Sequence, residues 1–417
     1  MSAAAYGPQE LFEAITRSRA MLPTAVDVLC EAITEVTGTA PQRDCVEFVG
    51  SFWLLHACDR VVFSELAATD STSGEPAVPS FVPVWESTRS RRARLLSTVG
   101  ARRAPIRIAD PYFKSSFTSQ LQAAFFGRRR IRWQPVSNPL LPQRVVQGAT
   151  RSAMVKVAIG TDATPTDLRQ VVALSAPSSL VESHHDLVGW AESQNDRHAR
   201  ILYTANAHQS SLGFRHRLFA QRSIGSKIAL HQHGGGYGID EMHSGEEHDI
   251  ALSDVFYTWG WQRAELGRRV RPLPVPLPLR HRGTPTTDYL LMSLPVMSSF
   301  LRFQPFLIPR HIERCVEETV AFVNQLCSST SLCLRSSGAD GFPVDRLPDA
   351  RVRVSVDDLC EPGTLAASRA RLVIHNYLGT SWLETLAMNV PTVCFYDPNL
   401  YAPRESARPY FDMLARV

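Results

Sequence analysis

Two segments of the 417-residue chain carry side chains whose types and spacing could do chemistry. In the first, His231 to Trp261, a strand runs into His233, then Gly234, Gly235 and Gly236, then Tyr237 and Gly238. Successive glycines there let the backbone take φ > 0 and come closer to a bound molecule than side chains permit. The segment is not a Walker A loop, and GGGYG lacks the last glycine of GxGxxG, so a flexible turn at a domain edge is the competing reading. His233 is the candidate general base, because imidazole titrates near neutrality. Glu241, its neighbour Asp240, and Asp254 are the carboxylate alternatives. The stretch also holds His231, His243, Glu246, Glu247, His248 and Asp249. No HExxH or other fixed ligand spacing accompanies them, so the expectation is no metal site, with a metal-dependent hydrolase as a rival.

In the second segment, His375 to Pro398, a strand ends in Gly379-Thr380-Ser381 and feeds a helix. Free amides at that helix start, with the hydroxyls of Thr380 and Ser381, suit a phosphate. Glu384, one turn in, is placed to accept hydrogen bonds from a ribose diol. Ser381-x-x-Glu384 also reads as a capping box, in which Glu384 only ties back to the backbone.

The elements that must position these groups follow from periodicity. Residues 1–70 read as helical, with Asp44 to Ala67 carrying apolar residues at helical spacing. Thr69 to Ser80 reads as a loop, Pro111 to Phe126 as a helix, and Gln134 to Gln143 as a proline-rich break. From Leu180 onward helices (Val181–Ser193, Leu212–Arg222) alternate with strands (Ile201–Asn206, Ser226–Gln232), the pattern of a parallel sheet with crossover helices. Arg268 to Gly283 is proline-rich and reads as an interdomain linker. Beyond it come a strand at Thr287–Val296, a helix at Ile308–Ser329, a strand at Ser331–Ser337, then a strand, helix and strand over Arg371–Asp397.

Composition excludes several classes. A formal net charge of +4 is too small for a dedicated nucleic-acid binder. The basic residues are almost all arginine, since only Lys114, Lys156 and Lys227 are lysines. The clusters Arg89/Arg91/Arg92/Arg94 and Arg128/Arg129/Arg130/Arg132 read as solvated faces, with contact to an acidic glycan or anionic lipid as the alternative. Eight cysteines without a CxxC pair, an acidic start and no long apolar run point to a cytoplasmic protein with at most peripheral membrane contact.

Three blocks resemble a family of bacterial surface-polysaccharide transferases first named from a spirochaete locus, itself similar to GT-B glycosyltransferases. They are SFWLLHACDRVV (Ser51–Val62), ILYTANAHQSSLGFRHRLFA leading to QHGGGYG and SDVFYTWGW, and the Thr-x-x-Leu-Glu-Thr-Leu-Ala-x-Asn-x-Pro-Thr run from Thr380. The resemblance implies an α/β fold of GT-B type: two Rossmann-like domains facing a cleft, after a helical N-terminal extension. Residues 71–267 would hold the acceptor, a glycan or lipid-linked glycan, and residues 284–417 a nucleotide-sugar donor, which is a substrate rather than a cofactor. It points to His233, Gly234, Gly235, Tyr237 and Gly238 in the cleft wall, and to Gly379, Thr380, Ser381, Glu384 and Asn389 on the nucleotide side. Alternatives are a nucleotide-sugar hydrolase or epimerase, or an inactive glycan- or partner-binding copy. Two departures bear on this: the chain stops at Val417, soon after the last strand, which suggests a truncated second domain, and Trp382 is bulky for a phosphate site.

Overall fold

A computed structural model describes residues 8–68, 104–111, 131–133, 136, 146–158, 166–241, 243–274, 283–293, 309–327, 329–336, 342–347, 352–397 and 402–415. Apart from a few backbone positions, the expected loop at Thr69–Ser80, helix at Pro111–Phe126, break at Gln134–Gln143 and both arginine clusters lie outside the described residues. Contacts divide the chain into two compact units. The amino-terminal unit is Phe12–His233 with Glu247–Leu273; the carboxyl-terminal unit is Met1–Leu11, Gly234–Glu246 and Pro274–Val417.

The amino-terminal unit begins with helices α1 (Pro8–Ala20, from Phe12 onward), α2 (Leu22–Thr37) and α3 (Arg43–Ala68). Ala25, Val26, Leu29, Ala32 and Ile33 form one buried stripe on α2, at the i, i+3, i+4, i+7 spacing that drives a helix onto a core. Helices α4 (Gly148–Ala158), α5 (Thr166–Ser175), α6 (His184–Ser193), α7 (Ala207–Ser210), α8 (Leu212–Ser223) and α9 (Ser244–Leu252) complete the described set. The strands are β1 (Ile106–Ala109), β2 (Ile131–Trp133), β3 (Ile201–Thr204), β4 (Lys227–His231), β5 (Val255–Thr258) and β6 (Val270–Pro272). They form one parallel sheet in the order β2-β1-β3-β4-β5-β6. The N-terminal helices, expected as a separate region, belong to this unit: α2 packs on α4 and α5, and α3 on α8. The expected linker also starts as structure, because Val270–Pro272 pairs with β5 at the sheet edge. Pro272 is tolerated there because an edge strand has one unpaired side. Buried Arg151 forks onto Glu182 and donates to the Ala176 carbonyl at 2.6 Å, fixing α4 against the turn before α6.

The carboxyl-terminal unit holds β7 (Thr287–Ser293), α10 (Pro309–Asn324), β8 (Ser331–Ser336), β9 (Arg353–Val356), α11 (Gly363–Ser368), β10 (Ala370–His375), α12 (Thr380–Ala387), β11 (Thr392–Cys394) and α13 (Arg408–Leu414). Its sheet is parallel in the order β11-β10-β7-β8-β9. Alternate residues of β7 enter opposite cores, Leu291 with Ile374 and Val316, Leu290 and Met292 with Val373 and Met388. A sheet covered on both faces needs this continuous apolar strand. Both units are therefore parallel α/β, the class expected. Among the described residues no helix is long and apolar enough to cross a membrane.

Candidate functional site

In an open parallel sheet, ligands bind beyond the carboxyl ends of the strands, where the strand order reverses. In the carboxyl-terminal unit that point lies between β7 and β10. It is marked by Asn376, just after β10, whose Nδ2 donates to Ser293 Oγ at the end of β7 (3.0 Å) and to Thr319 Oγ1 (2.8 Å). The chain then turns through Tyr377 to Gly379, which occupies the N-cap of α12 without a side-chain capping bond. Ser381 thus lies inside the helix, and the capping-box reading of Ser381 and Glu384 does not describe this turn. Ser381 Oγ instead stands 3.3 Å from Nδ1 of His375, whose Nε2 is 3.2 Å from Thr385 Oγ1. Burial lowers the His375 pKa to about 3, so this imidazole is neutral and structural.

The glycine loop belongs to the same unit, and what its backbone approaches is the protein itself. Gly235 N donates to Thr380 Oγ1 at 3.1 Å, and a Cβ on Gly235 would lie 2.2 Å from the Gly379 carbonyl oxygen. Gly238 takes φ 75° and donates to Glu246 Oε2 at 2.7 Å, whereas Gly234 has room for a side chain. Tyr237 is buried, its ring 4.2 Å from that of His243. Arg404 grips Glu246 through both nitrogens (3.1 and 3.0 Å) and donates to the Asp240 carbonyl. Burial raises the Asp240 carboxyl well above its usual range, although Arg404 opposes this. Glu241 is exposed, with its amide bonded to the Ala402 carbonyl at 2.8 Å. Asn389 takes φ 54° at the end of α12, its amide on Leu386 O and that of Val390 on Thr385 O. This Schellman closure accounts for an asparagine at that position.

In the amino-terminal unit the centre is Asp249, wholly buried in the second half of α9. Its carboxylate faces His208 Nε2 at 2.7 Å, Gln209 Nε2 at 3.2 Å, His248 Nδ1 at 3.8 Å and His233 Nδ1 at 4.0 Å. His248 is tied in turn to Ser51 Oγ on α3 at 2.8 Å. Burial alone would raise the Asp249 pKa, but His208, then His248 and His233, hold it well below the carboxylate range. His233 keeps about a fifth of its side chain exposed (21%), and burial, partly offset by Asp249, lowers its pKa to about 4. The result is a neutral imidazole backed by a fixed negative charge, which partly offsets the cost that burial sets on a proton taken up by the ring. Asp254 is a correction. It lies before β5, at the amino end of the sheet, where it receives Lys227 Nζ at 3.1 Å and the Ile228 amide at 2.8 Å, so it ties strands together remote from His233.

Sequence reading passed over His208 and Gln209, weighed Asp249 only within a group of possible metal ligands, and missed the link to Ser51. The available signal was that His233 falls just beyond the end of β4 and His208 in the short helix that follows β3; Asp249, in the second turn of α9, carried no such signal. Among the described residues no three His, Cys, Asp or Glu side chains are grouped to hold a metal ion.

Solved structures with partial likeness include a mutant O-GlcNAc transferase of Thermobaculum terrenum (14% identity, 86% of this chain and 64% of that one, TM-score 0.35). Acinetobacter baumannii MurG follows (10%, 70% and 78%, 0.34). So does Phytolacca americana UGT2, solved with UDP-2fluoro-glucose and pterostilbene (10%, 71% and 81%, 0.32). The chain spans 64% of the length of the Thermobaculum protein. No curated protein sequence matches it. Residues 58–417 match the description LIC12162 family transferase, and the chain belongs to that family.

Proposed function

We propose that this transferase moves a sugar from a nucleotide-sugar donor to a cell-surface polysaccharide precursor, a glycan or lipid-linked glycan, on a GT-B-type plan. The observation that carries the reading is the buried, ionised Asp249 behind the partly exposed, neutral His233. In this reading the acceptor hydroxyl gives its proton to His233 Nε2, and Asp249 stabilises the imidazolium through Nδ1. The new bond joins the acceptor oxygen to the anomeric carbon while the bond from that carbon to the nucleotide phosphate breaks. The leaving phosphate is assigned to the amides opening α12. Thr380 already accepts from Gly235 and retains its own hydroxyl proton to donate. Glu384 is assigned to the ribose diol. The reading retains the cytoplasmic location and peripheral membrane contact expected from composition.

The test is nucleotide release from UDP-, GDP-, CDP- and CMP-sugars with and without glycan extracts. Acceptor-dependent release supports transfer, whereas equal release without acceptor identifies a hydrolase. A donor at 100 times its Kd should add about 2.7 kcal/mol of stability, so no melting shift with any nucleotide or nucleotide sugar would sink the proposal.

A further inference from the structure

The described part of the chain buries four arginines, and three of them have a carboxylate: Arg107 pairs with Asp196, Arg151 with Glu182 and Arg169 with Glu31. Arg215 is the exception. It is 5% exposed, and its Nε and Nη1 are buried without a hydrogen-bond partner among the described residues. Burial lowers its pKa only to about 10, with no neighbouring carboxylate contributing, so the guanidinium remains charged at neutral pH. An uncompensated buried cation is costly, and a planar guanidinium is shaped to receive a carboxylate or phosphate through paired N–H groups.

Its surroundings form one wall with the Asp249 cluster. The guanidinium stands 5.2 Å over the ring of Phe52, which also meets His248 edge-on at 5.6 Å. His248 holds Ser51, the neighbour of Phe52 on α3, and adjoins Asp249. Arg215 lies in the first turn of α8, which follows β3 and α7, and so stands toward the carboxyl end of the sheet, where ligands bind.

We propose that Arg215, seated on Phe52 beside His248 and Ser51, is the receptor for an oxyanion, a carboxylate or phosphate group. In the transfer proposed above this group is carried by the acceptor, so the natural acceptor is an acidic or phosphorylated glycan. The assignment to the acceptor rests on that reading; the oxyanion site does not.

The full chain is melted in chloride buffer with inorganic phosphate or acetate added at matched ionic strength. A saturable rise in Tm is expected for wild type, lost in Arg215→Met, displaced to several-fold higher anion concentration in Arg215→Lys, and retained in Arg222→Gln. Arg222 is exposed on the same helix, over Phe48. Because Arg215→Met removes a buried charge that lacks a partner, it should melt no lower than wild type in chloride alone. The site is overturned by no response of wild type to either anion, by an unchanged response in Arg215→Met or Arg215→Lys, or by a lower melting point of Arg215→Met in chloride. With turnover in hand, phosphate that raises acceptor KM competitively assigns the anion to the acceptor. Phosphate that raises Tm and leaves acceptor KM unchanged assigns the site to a free anion and overturns the acidic acceptor alone. Failure of sugar transfer would leave the melting result standing.

Discussion

Replacing Gly235 by alanine puts a methyl group 2.2 Å from the Gly379 carbonyl oxygen and 2.9 Å from Thr380 Cα. Both obstacles are backbone, so no side chain can swing away. The loop or the turn entering α12 must shift by roughly the 1 Å or more that separates these distances from ordinary contact. Overpacking of this kind costs about 1–3 kcal/mol. The same shift breaks the 3.1 Å bond from Gly235 N to Thr380 Oγ1, worth about a further 1 kcal/mol. The expected loss is therefore about 2–4 kcal/mol, or roughly 4–16 °C in Tm if the unit melts like a domain of 150–250 residues. Gly234→Ala is the internal control, because its added Cβ would meet only ordinary contacts, at 3.7 Å and beyond. It should fall within about 0.5 kcal/mol of wild type. Urea unfolding of the two variants, followed by fluorescence of the chain's tryptophans, measures both. If Gly235→Ala matches wild type, or Gly234→Ala is equally damaging, the close packing of the glycine loop on the Gly379-Thr380 turn is refuted.

Other consequences are open to direct measurement. His233→Asn should lower turnover by about 10²–10⁴-fold. In wild type the acidic limb of the pH–rate profile should lie near pH 4, where His233 gains its proton, and the substitution should abolish that limb; a retained limb would move the base elsewhere. Glu182→Ala leaves the buried Arg151 without its carboxylate and should cost about 3–5 kcal/mol in chemical denaturation, with a loss below 1 kcal/mol contradicting the pairing. His216 is buried with its pKa lowered to about 3, so between pH 3 and 6.5 the unfolded chain binds the extra proton and stability falls as pH falls. From pH 7 to pH 5 this one residue should remove about 2 kcal/mol, and a His216→Gln variant should show a correspondingly flatter pH dependence.

Local pattern in the sequence was enough for most elements and for the class of fold. The apolar spacing of Asp44 to Ala67 yields α3 almost to the residue, and the strand-helix-strand reading of Arg371 to Asp397 yields β10, α12 and β11. Periodicity is a short-range property, and helices and strands are set largely at that range. Strands β1, β2 and β9 were not legible in this way: three or four residues are too few for a period to emerge, and unlike the equally short β3 and β11 they have no clear strand-helix alternation beside them in the sequence. The candidate site shows the opposite limit. His208 and Asp249 stand 41 residues apart, Ser51 and His248 197 apart, and only the crossing of α3, α7 and α9 brings them together. Sequence singled out Asp254 and Glu241, yet the chain carries Asp254 to the amino end of the sheet and leaves Glu241 exposed, while Asp249 is desolvated among imidazoles. Histidine, aspartate and glycine supply capability, but proton affinity follows burial and neighbouring charge. Those are properties of the assembled tertiary structure, which decided that Asp249 carries the buried charge and that the glycine loop packs on its own chain.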